Sequence, residues 1–248
     1  TVFSVLVFPG QDINDAAQIA FSQRFGPLET TKIGTRGAGS PLIILSNIGE
    51  DNRIAPFADR LNMVNRANMQ WHADSSFKRI PAQTSILSAR EVPVTGGNTE
   101  FVSMRAVYAE LPEDLRRAAK DRVAIHDFAH SRDKVDPSLM TDSERSALPP
   151  VRQAMVLNQG RNLGPSLYIG SHVSHVEGMT KSESRKLIDR LLSFATQEQF
   201  IYCHTWCLHD LVIWDNRSVI HRAEPFVNHK ERRRMVRTTI AGVTPTVR

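Results

Sequence analysis

The residues best able to do chemistry stand at Trp71-His72-Ala73-Asp74. Side chains two apart on an extended strand share a face. An imidazole at 72 and a carboxylate at 74 can therefore grip one ion. A third ligand has to come from elsewhere in the fold. The best candidate is His221, just beyond the apolar run Leu211 to Trp214 and the turn Asp215-Asn216. Two imidazoles and one carboxylate leave coordination positions open, as iron(II) oxygenases need to bind both oxygen and a cosubstrate. Zinc would favour a closed tetrahedron or more histidines. Alone, the tripeptide arises often by chance and is more commonly a surface or hydrogen-bonded pair.

A second cluster, Cys203, His204, Cys207 and His209, has the residue types of a zinc site. Cys203 and Cys207 fall on one strand face and His204 on the other, so free core cysteines are the expectation. The two cysteines make no disulfide framework. They suit a reducing, cytoplasmic setting.

The elements that must position these residues belong to a chain of 248 residues, which predicts one domain over 1–248. The apolar fraction of 41% and charged fraction of 23% are those of a globular protein. No apolar run approaches the roughly 18 residues of a membrane span, so no membrane partner is expected. The net charge of +5 fits an anionic substrate, a nucleic acid, or plain solubility. The densest basic run is Lys230-Glu231-Arg232-Arg233-Arg234. Aromatic residues do not interleave with the basic ones as a stacking platform would require, so no nucleic-acid partner is expected.

Val5 to Phe8 reads as a buried strand. Asn14 to Phe25 reads as a helix capped by Asn14, with Ala17, Ile19, Ala20 and Phe21 turned to the core. Leu42 to Ser46 is a strand, and Gly49 to Asn68, weakly periodic, reads as a long loop near the site. Thr84 to Val92 and Thr99 to Ser103 are strands joined by a Pro- and Gly-rich turn. Pro112 opens a helix to Lys120. Ser131 to Pro150 reads as a polar loop or insertion, and Ser166 to Gly170 as a strand. Thr180 and Glu183 form a capping box for a helix to Thr196, with Leu187, Ile188, Leu191, Leu192 and Ala195 on its apolar face. Phe200 to Trp206, Leu211 to Trp214 and Met235 to Ala241 are strands. Many short strands with few helices predict a mainly β sandwich or jelly roll decorated by helices.

Several segments together carry a resemblance. Trp71-His72-Ala73-Asp74-Ser75-Ser76-Phe77 resembles the metal motif of the TauD/TfdA family, the taurine and 2,4-dichlorophenoxyacetate dioxygenases. Val94-Thr95-Gly96-Gly97-Asn98-Thr99-Glu100-Phe101 resembles its Gly-Gly-Asp-Thr segment, with Asn98 where Asp is usual. Trp214-Asp215-Asn216-Arg217 followed by His221 resembles the distal motif. Arg233 to Thr239 resembles the C-terminal arginine strand. The matches keep the family's order along nearly the whole chain. Only the family's N-terminal strand region would precede Thr1.

The resemblance implies a double-stranded β-helix (jelly-roll) core and an Fe(II)- and 2-oxoglutarate-dependent dioxygenase using O2, with ascorbate as a stimulant. His72, Asp74 and His221 would hold the iron. Thr99 and Arg233 would meet the distal carboxylate of 2-oxoglutarate, a guanidinium fork being suited to bidentate pairing. The interval from His221 to Arg233 is one residue longer than the pattern. If the extra residue lies outside Ala223 to Lys230, Arg232 takes that role instead. Arg237, four residues beyond Arg233, matches the position that holds the substrate's anionic group. Tyr168 to Gly178 and Leu148-Pro149-Pro150-Val151 resemble the phenoxyacetate branch more than the taurine branch. That implies an anionic aromatic substrate such as 2,4-dichlorophenoxyacetate, split to a phenol and glyoxylate with release of succinate and carbon dioxide. His172 and His175 are candidate substrate contacts, or else hydrogen-bond within their own turn. A homo-oligomer is expected. The alternatives are a taurine- or alkylsulfate-type dioxygenase, a non-catalytic jelly roll, and a nucleic-acid-binding protein.

Overall fold

The computed structural model describes residues 4–30, 39–56, 59–158, 160, 163–227 and 229–247. In chain order its elements are β1 (Val5–Phe8), α1 (Asp15–Gln23), β2 (Leu42–Ser46), α2 (Arg60–Ala67), β3 (Thr84–Glu91), β4 (Thr99–Ser103), α3 (Met104–Glu110), α4 (Glu113–Ala119), β5 (Val123–His126), α5 (Phe128–Asp133), α6 (Asp142–Ala147), β6 (Val151–Ala154), β7 (Val156–Asn158), β8 (Pro165–Leu167), β9 (Val173–Val176), α7 (Lys181–Ala195), β10 (Ile201–His204), β11 (Leu211–Asp215), β12 (Val219–Ala223) and β13 (Arg234–Ile240).

Two antiparallel sheets face each other. The larger has the order β1-β11-β3-β13-β2, and the smaller β10-β4-β12. Alternation along the strands builds three apolar layers. Between the sheets lie Leu87, Val212, Trp214 and Met235 from the larger sheet, against Phe101 and Val219 from the smaller. Outside the larger sheet, Ile86, Leu211, Ile213 and Ile240 meet Phe21 and Leu28. Outside the smaller sheet, Val102 and Ile220 join a cluster with Met104, Val107, Leu187 and Leu191 of α3 and α7. This is the jelly-roll core with helices around it that the strand pattern predicts. The capping box of α7 is formed by Thr180 and Glu183 as expected.

Several local expectations are corrected. β1 is an edge strand rather than a buried one: it pairs with β11, and Leu6 and Phe8 stay exposed. α1 is capped by Asn14, but it docks through Gln18 and Ser22 instead of Ala17 and Ala20. Gln18 Nε2 donates to the carbonyls of Ile86 and Val236, and Ser22 shares a hydrogen bond of 2.6 Å with Thr238. The stretch 49–68 contains α2, capped by Asp59. It too docks through polar side chains: Asn62 donates to the carbonyls of Ala55 and Pro56, and Asn65 to that of Ser46. The polar stretch 131–150 carries the end of α5 and all of α6, the latter held by a Thr141–Glu144 capping box and burying none of its residues. Hydrophobic periodicity is silent wherever a helix docks by hydrogen bonds or not at all. Cys203 and Cys207 are exposed and unpaired with each other, not core residues. His204 beside them is bonded to Asp210 across 3.1 Å.

Candidate metal centre and its two cavities

His72 and His221 are direct neighbours across an antiparallel bridge. They exchange both backbone hydrogen bonds, at 3.0 and 2.9 Å, and their ring centroids lie 4.3 Å apart. The stretch around His72 is this one bridge rather than a regular strand, and Ser75 turns left-handed just after it. Gly170 backs the bridge. A Cβ there would lie 3.2 Å from His72 Cα and from the Trp71 carbonyl, so a side chain would push the histidine out of place.

Asp74 completes the group. Its two oxygens lie 3.8 Å from His72 Nε2 and 3.8 Å from His221 Nε2. The three potential ligand atoms all fall within 4.8 Å of one another. Among the described residues this is the one cluster of His, Cys, Asp and Glu groups able to share an ion. His72 Nδ1 lies 2.7 Å from the Gln70 carbonyl. A carbonyl only accepts, so Nδ1 carries the proton and the Nε2 lone pair faces Asp74. Burial lowers the pKa of both rings, that of His221 to about 3, so both are neutral donors at pH 7.

Burial alone would raise the pKa of Asp74. The charge of Arg237, the two histidines and a hydrogen bond from Ser85 outweigh it and bring the carboxyl to about 2. The Arg237 guanidinium donates to Oδ1. Ser85 Oγ donates to Oδ2 at 2.7 Å and accepts from Asn216 Nδ2 at 2.9 Å. Asn216 Oδ1 in turn accepts from Trp214 Nε1 at 2.8 Å and from the Asp74 amide at 3.3 Å. Two neutral imidazoles and a fixed carboxylate fit a divalent transition metal with open positions, and the Ser85–Asn216 chain is the outer support such ligands use.

Two cavities meet at this cluster and share His72 and Arg237. The first is a narrow slot of about 50 Å³ between the sheets, lined by Thr99, Trp214, His221 and Arg233. Thr99 Oγ1 accepts from Trp206 Nε1 at 2.9 Å, leaving its own proton to donate. Arg233 is buried. Its backbone amide donates to Asn47 and its Nε to the Gly97 carbonyl at 3.1 Å. Among the described residues no carboxylate pairs with it, and burial pulls its pKa down to about 10. Gly97 stands at φ +67°, and a Cβ there would press on Arg233 Cδ at 3.3 Å. Arg232 points the other way, to Glu91 and Asn52 at the surface.

The second cavity holds about 600 Å³. Asp74, Phe77, Phe128, Arg132, His172 and Arg237 are among its walls, together with Val64 of α2 and Leu148 beside α6. His172 lies edge-on to Phe77 at 5.0 Å. Its Nδ1 is 2.9 Å from Ser131 Oγ, whose proton goes to the Phe128 carbonyl. His172 Nε2 is therefore unprotonated, and burial holds the ring well below the usual imidazole range. His175 lies in β9 against Ser174 and lines neither cavity, so of the two histidines proposed as substrate contacts only His172 is brought to the site.

Residue types alone did not single out Ser85, Trp206 or Arg132. Ser85 and Trp206 reach the site through contacts 11 and 107 residues apart in the chain. Asn216 had a signal, since it lies inside the Trp214-Asp215-Asn216-Arg217 segment.

Comparison with known proteins agrees with this architecture. Residues 2–239 match the family described as taurine catabolism dioxygenase TauD, TfdA family. An alpha-ketoglutarate-dependent 2,4-dichlorophenoxyacetate dioxygenase of Cupriavidus pinatubonensis is 41% identical over 228 residues, covering 90% of this chain and 79% of that protein. An (S)-phenoxypropionate/alpha-ketoglutarate-dioxygenase of Delftia acidovorans is 34% identical over 251 residues, covering 96% and 82%. The crystal structure of AAD-2 in complex with Mn(II) and N-oxalylglycine superposes with a TM-score of 0.90 at 40% identity, covering 99% of this chain and 87% of that one. A chain whose buried His-Asp-His cluster sits between two facing sheets, and which matches along nearly its whole length, belongs to the TauD/TfdA family of dioxygenases.

Proposed function

We propose that this protein is an Fe(II)- and 2-oxoglutarate-dependent dioxygenase that hydroxylates an aryloxyalkanoic acid of the 2,4-dichlorophenoxyacetate kind. The carbon hydroxylated would be the one between the ether oxygen and the carboxylate. The resulting hemiacetal splits into a phenol and glyoxylate, alongside succinate and carbon dioxide. The observation that carries the reading is the His72, Asp74 and His221 cluster at the junction of two cavities with different chemistry. The slot, with Arg233 and Thr99 in its wall, suits a dicarboxylate, and the wider, partly aromatic cavity suits a ring bearing an acid.

In this reading His72 Nε2, Asp74 and His221 Nε2 hold the iron. The iron, once loaded with cosubstrate and oxygen, supplies the oxidising power. Arg233 and the Thr99 hydroxyl hold the distal carboxylate of 2-oxoglutarate, and the Trp206 indole fixes the hydroxyl's direction. Arg237 holds the acid of the primary substrate. It now donates to Asp74, a contact that a metal at Asp74 would compete with. Phe77 and His172 flank the ring. The setting is cytoplasmic, which suits exposed cysteines outside any disulfide.

Iron-dependent succinate release with 2,4-dichlorophenoxyacetate, and not with taurine, is the expected result. The opposite preference would move the enzyme to the sulfonate class, and silence with both acids would sink the reading. Arg237→Ala should raise the KM for the aryloxy acid about tenfold or more and leave that for 2-oxoglutarate little changed, whereas Arg233→Ala should do the reverse. Equal effects from both would mean the two roles are wrongly divided.

A further inference from the structure

The second cavity contains a cation that the reading above does not use. Arg132 projects from α5 into the same cavity as Arg237. Its guanidinium lies 4.3 Å from the centre of the Phe128 ring. Among the described residues no carboxylate reaches it within ion-pair distance, and its side chain makes no hydrogen bond with another described residue. Arg237, by contrast, is neutralised by Asp74.

An aromatic face is a weak substitute for an anion. Arg132 is partly buried, and a cation–π contact worth about 0.5–2 kcal/mol offsets only part of the hydration it loses. Burial, then the nearby charge of Arg237, brings the Arg132 pKa down to about 10, with Asp74 acting the other way. The group remains a cation at pH 7. Two arginines thus face one cavity, and only one has a carboxylate of the protein to answer it. The unanswered one leans on an aromatic ring that also lines the cavity.

The geometry points to Arg132 as a second anion-recognition residue, which meets the carboxylate of the organic acid from the α5 wall and sets the preference for charged over neutral substrates. This inference rests on the proposed aryloxy acid reading. The Phe128 ring pre-orients the guanidinium plane, so little side-chain entropy is lost when the anion arrives. Arg237 lies on the metal side of the cavity, next to Asp74. Arg132 approaches from a different element, so the acid is clamped between two walls and a neutral analogue leaves Arg132 unanswered.

The test measures binding of phenoxyacetate and of phenoxyacetamide to the Fe(II)–2-oxoglutarate enzyme without oxygen. Wild type should prefer the acid, and Arg132→Met should weaken the acid about 10- to 100-fold, as for loss of a charge-assisted hydrogen bond, while the amide changes little. Arg132→Lys keeps the charge but not the fork and should recover part of the preference. 2-Oxoglutarate affinity should stay at the wild-type value in both variants. An unchanged acid-to-amide ratio in Arg132→Met would overturn the inference. If Arg132→Met does not fold, Arg132→Gln takes its place, and an unchanged ratio there overturns the inference equally. Should wild type bind hexyl sulfate instead of phenoxyacetate, the aryloxy reading falls. Arg132 is then judged by the same variants on hexyl sulfate against hexanol. If wild type binds no organic anion in this cavity, both fall.

Discussion

At the scale of single residues, the metal cluster depends on groups that themselves touch no ion. Asp74 is ionised because Arg237, the histidines and Ser85 overcome its burial. Asp74→Ala removes the only carboxylate of the cluster and should abolish iron binding. The measurable sign is a Tm that no longer rises on adding Fe(II) or Mn(II), in a chain that still folds. Retained metal-dependent turnover would exclude Asp74 as a ligand. Ser85→Ala is subtler. It deletes the hydrogen bond to Asp74 Oδ2 and leaves Asn216 Nδ2 without its acceptor. Loss of such outer support costs about 10- to 100-fold in metal affinity. Metal titration of Ser85→Ala should show that weakening with the 2-oxoglutarate affinity of the metal-loaded form preserved. Wild-type metal affinity would mean that Ser85 does not position Asp74.

At the scale of elements, the second cavity is walled by helices that dock with little help from apolar stripes. α2 is pinned by Asn62, buried and donating to the carbonyls of Ala55 and Pro56. It is tied to α6 by Arg60 and Glu144 across 3.2 Å. That ion pair is partly exposed and worth little by itself. Asn62 carries more, because Asn62→Ala leaves two backbone carbonyls without those donors, at a cost of about 1–3 kcal/mol. Denaturant unfolding should register that loss. Since Val64 of α2 lines the cavity, the KM for the aryloxy acid should rise more than that for 2-oxoglutarate. Full stability in Asn62→Ala would show that α2 is held some other way. The same polar docking explains why α2 and the buried face of α1 are hard to read in the sequence. Gln18, Ser22 and Asn62 are buried, but their types look like surface, and no spacing rule tells a buried asparagine from a solvated one. α7, with its apolar face and capping box, was legible from end to end.

At the scale of the whole molecule, buried neutral histidines set a pH limit. Burial lowers the pKa of His126 from the ordinary 6.5 to about 3, against a smaller opposing effect from the Tyr168 backbone. The unfolded chain then binds a proton that the folded chain refuses between about pH 6.5 and 3. Stability is therefore present above pH 6.5 and lost as pH falls through that window. At pH 5 this one residue removes about 2 kcal/mol. His172 and His221 are shifted in the same direction, also first by burial, so the wild-type decline should be steeper than one histidine explains. The clean measurement is a difference. Between pH 7.5 and pH 5, His126→Gln should lose about 2 kcal/mol less unfolding free energy than wild type. Parallel declines in the two proteins would mean that His126 is not buried neutral.

The sequence by itself determined the core strands other than β12, the long amphipathic helix, and the motif residues His72, Asp74, Thr99, Asn216, His221 and Arg237. These depend on local periodicity or on short segments with a recognisable pattern, and both are written in neighbouring residues. Only the tertiary structure decided which of the adjacent Arg232 and Arg233 turns into the slot: Arg233 is held there by Asn47 and Gly97, Arg232 outside by Glu91 and Asn52. It also brought His172 to the cavity and left His175 outside. It placed Arg132 opposite Arg237 from an element 105 positions away in the chain. The direction of a side chain within a basic run, and the meeting of residues from distant elements, depend on how sheets and helices pack. That information lies in long-range contacts, where no spacing along the chain records it.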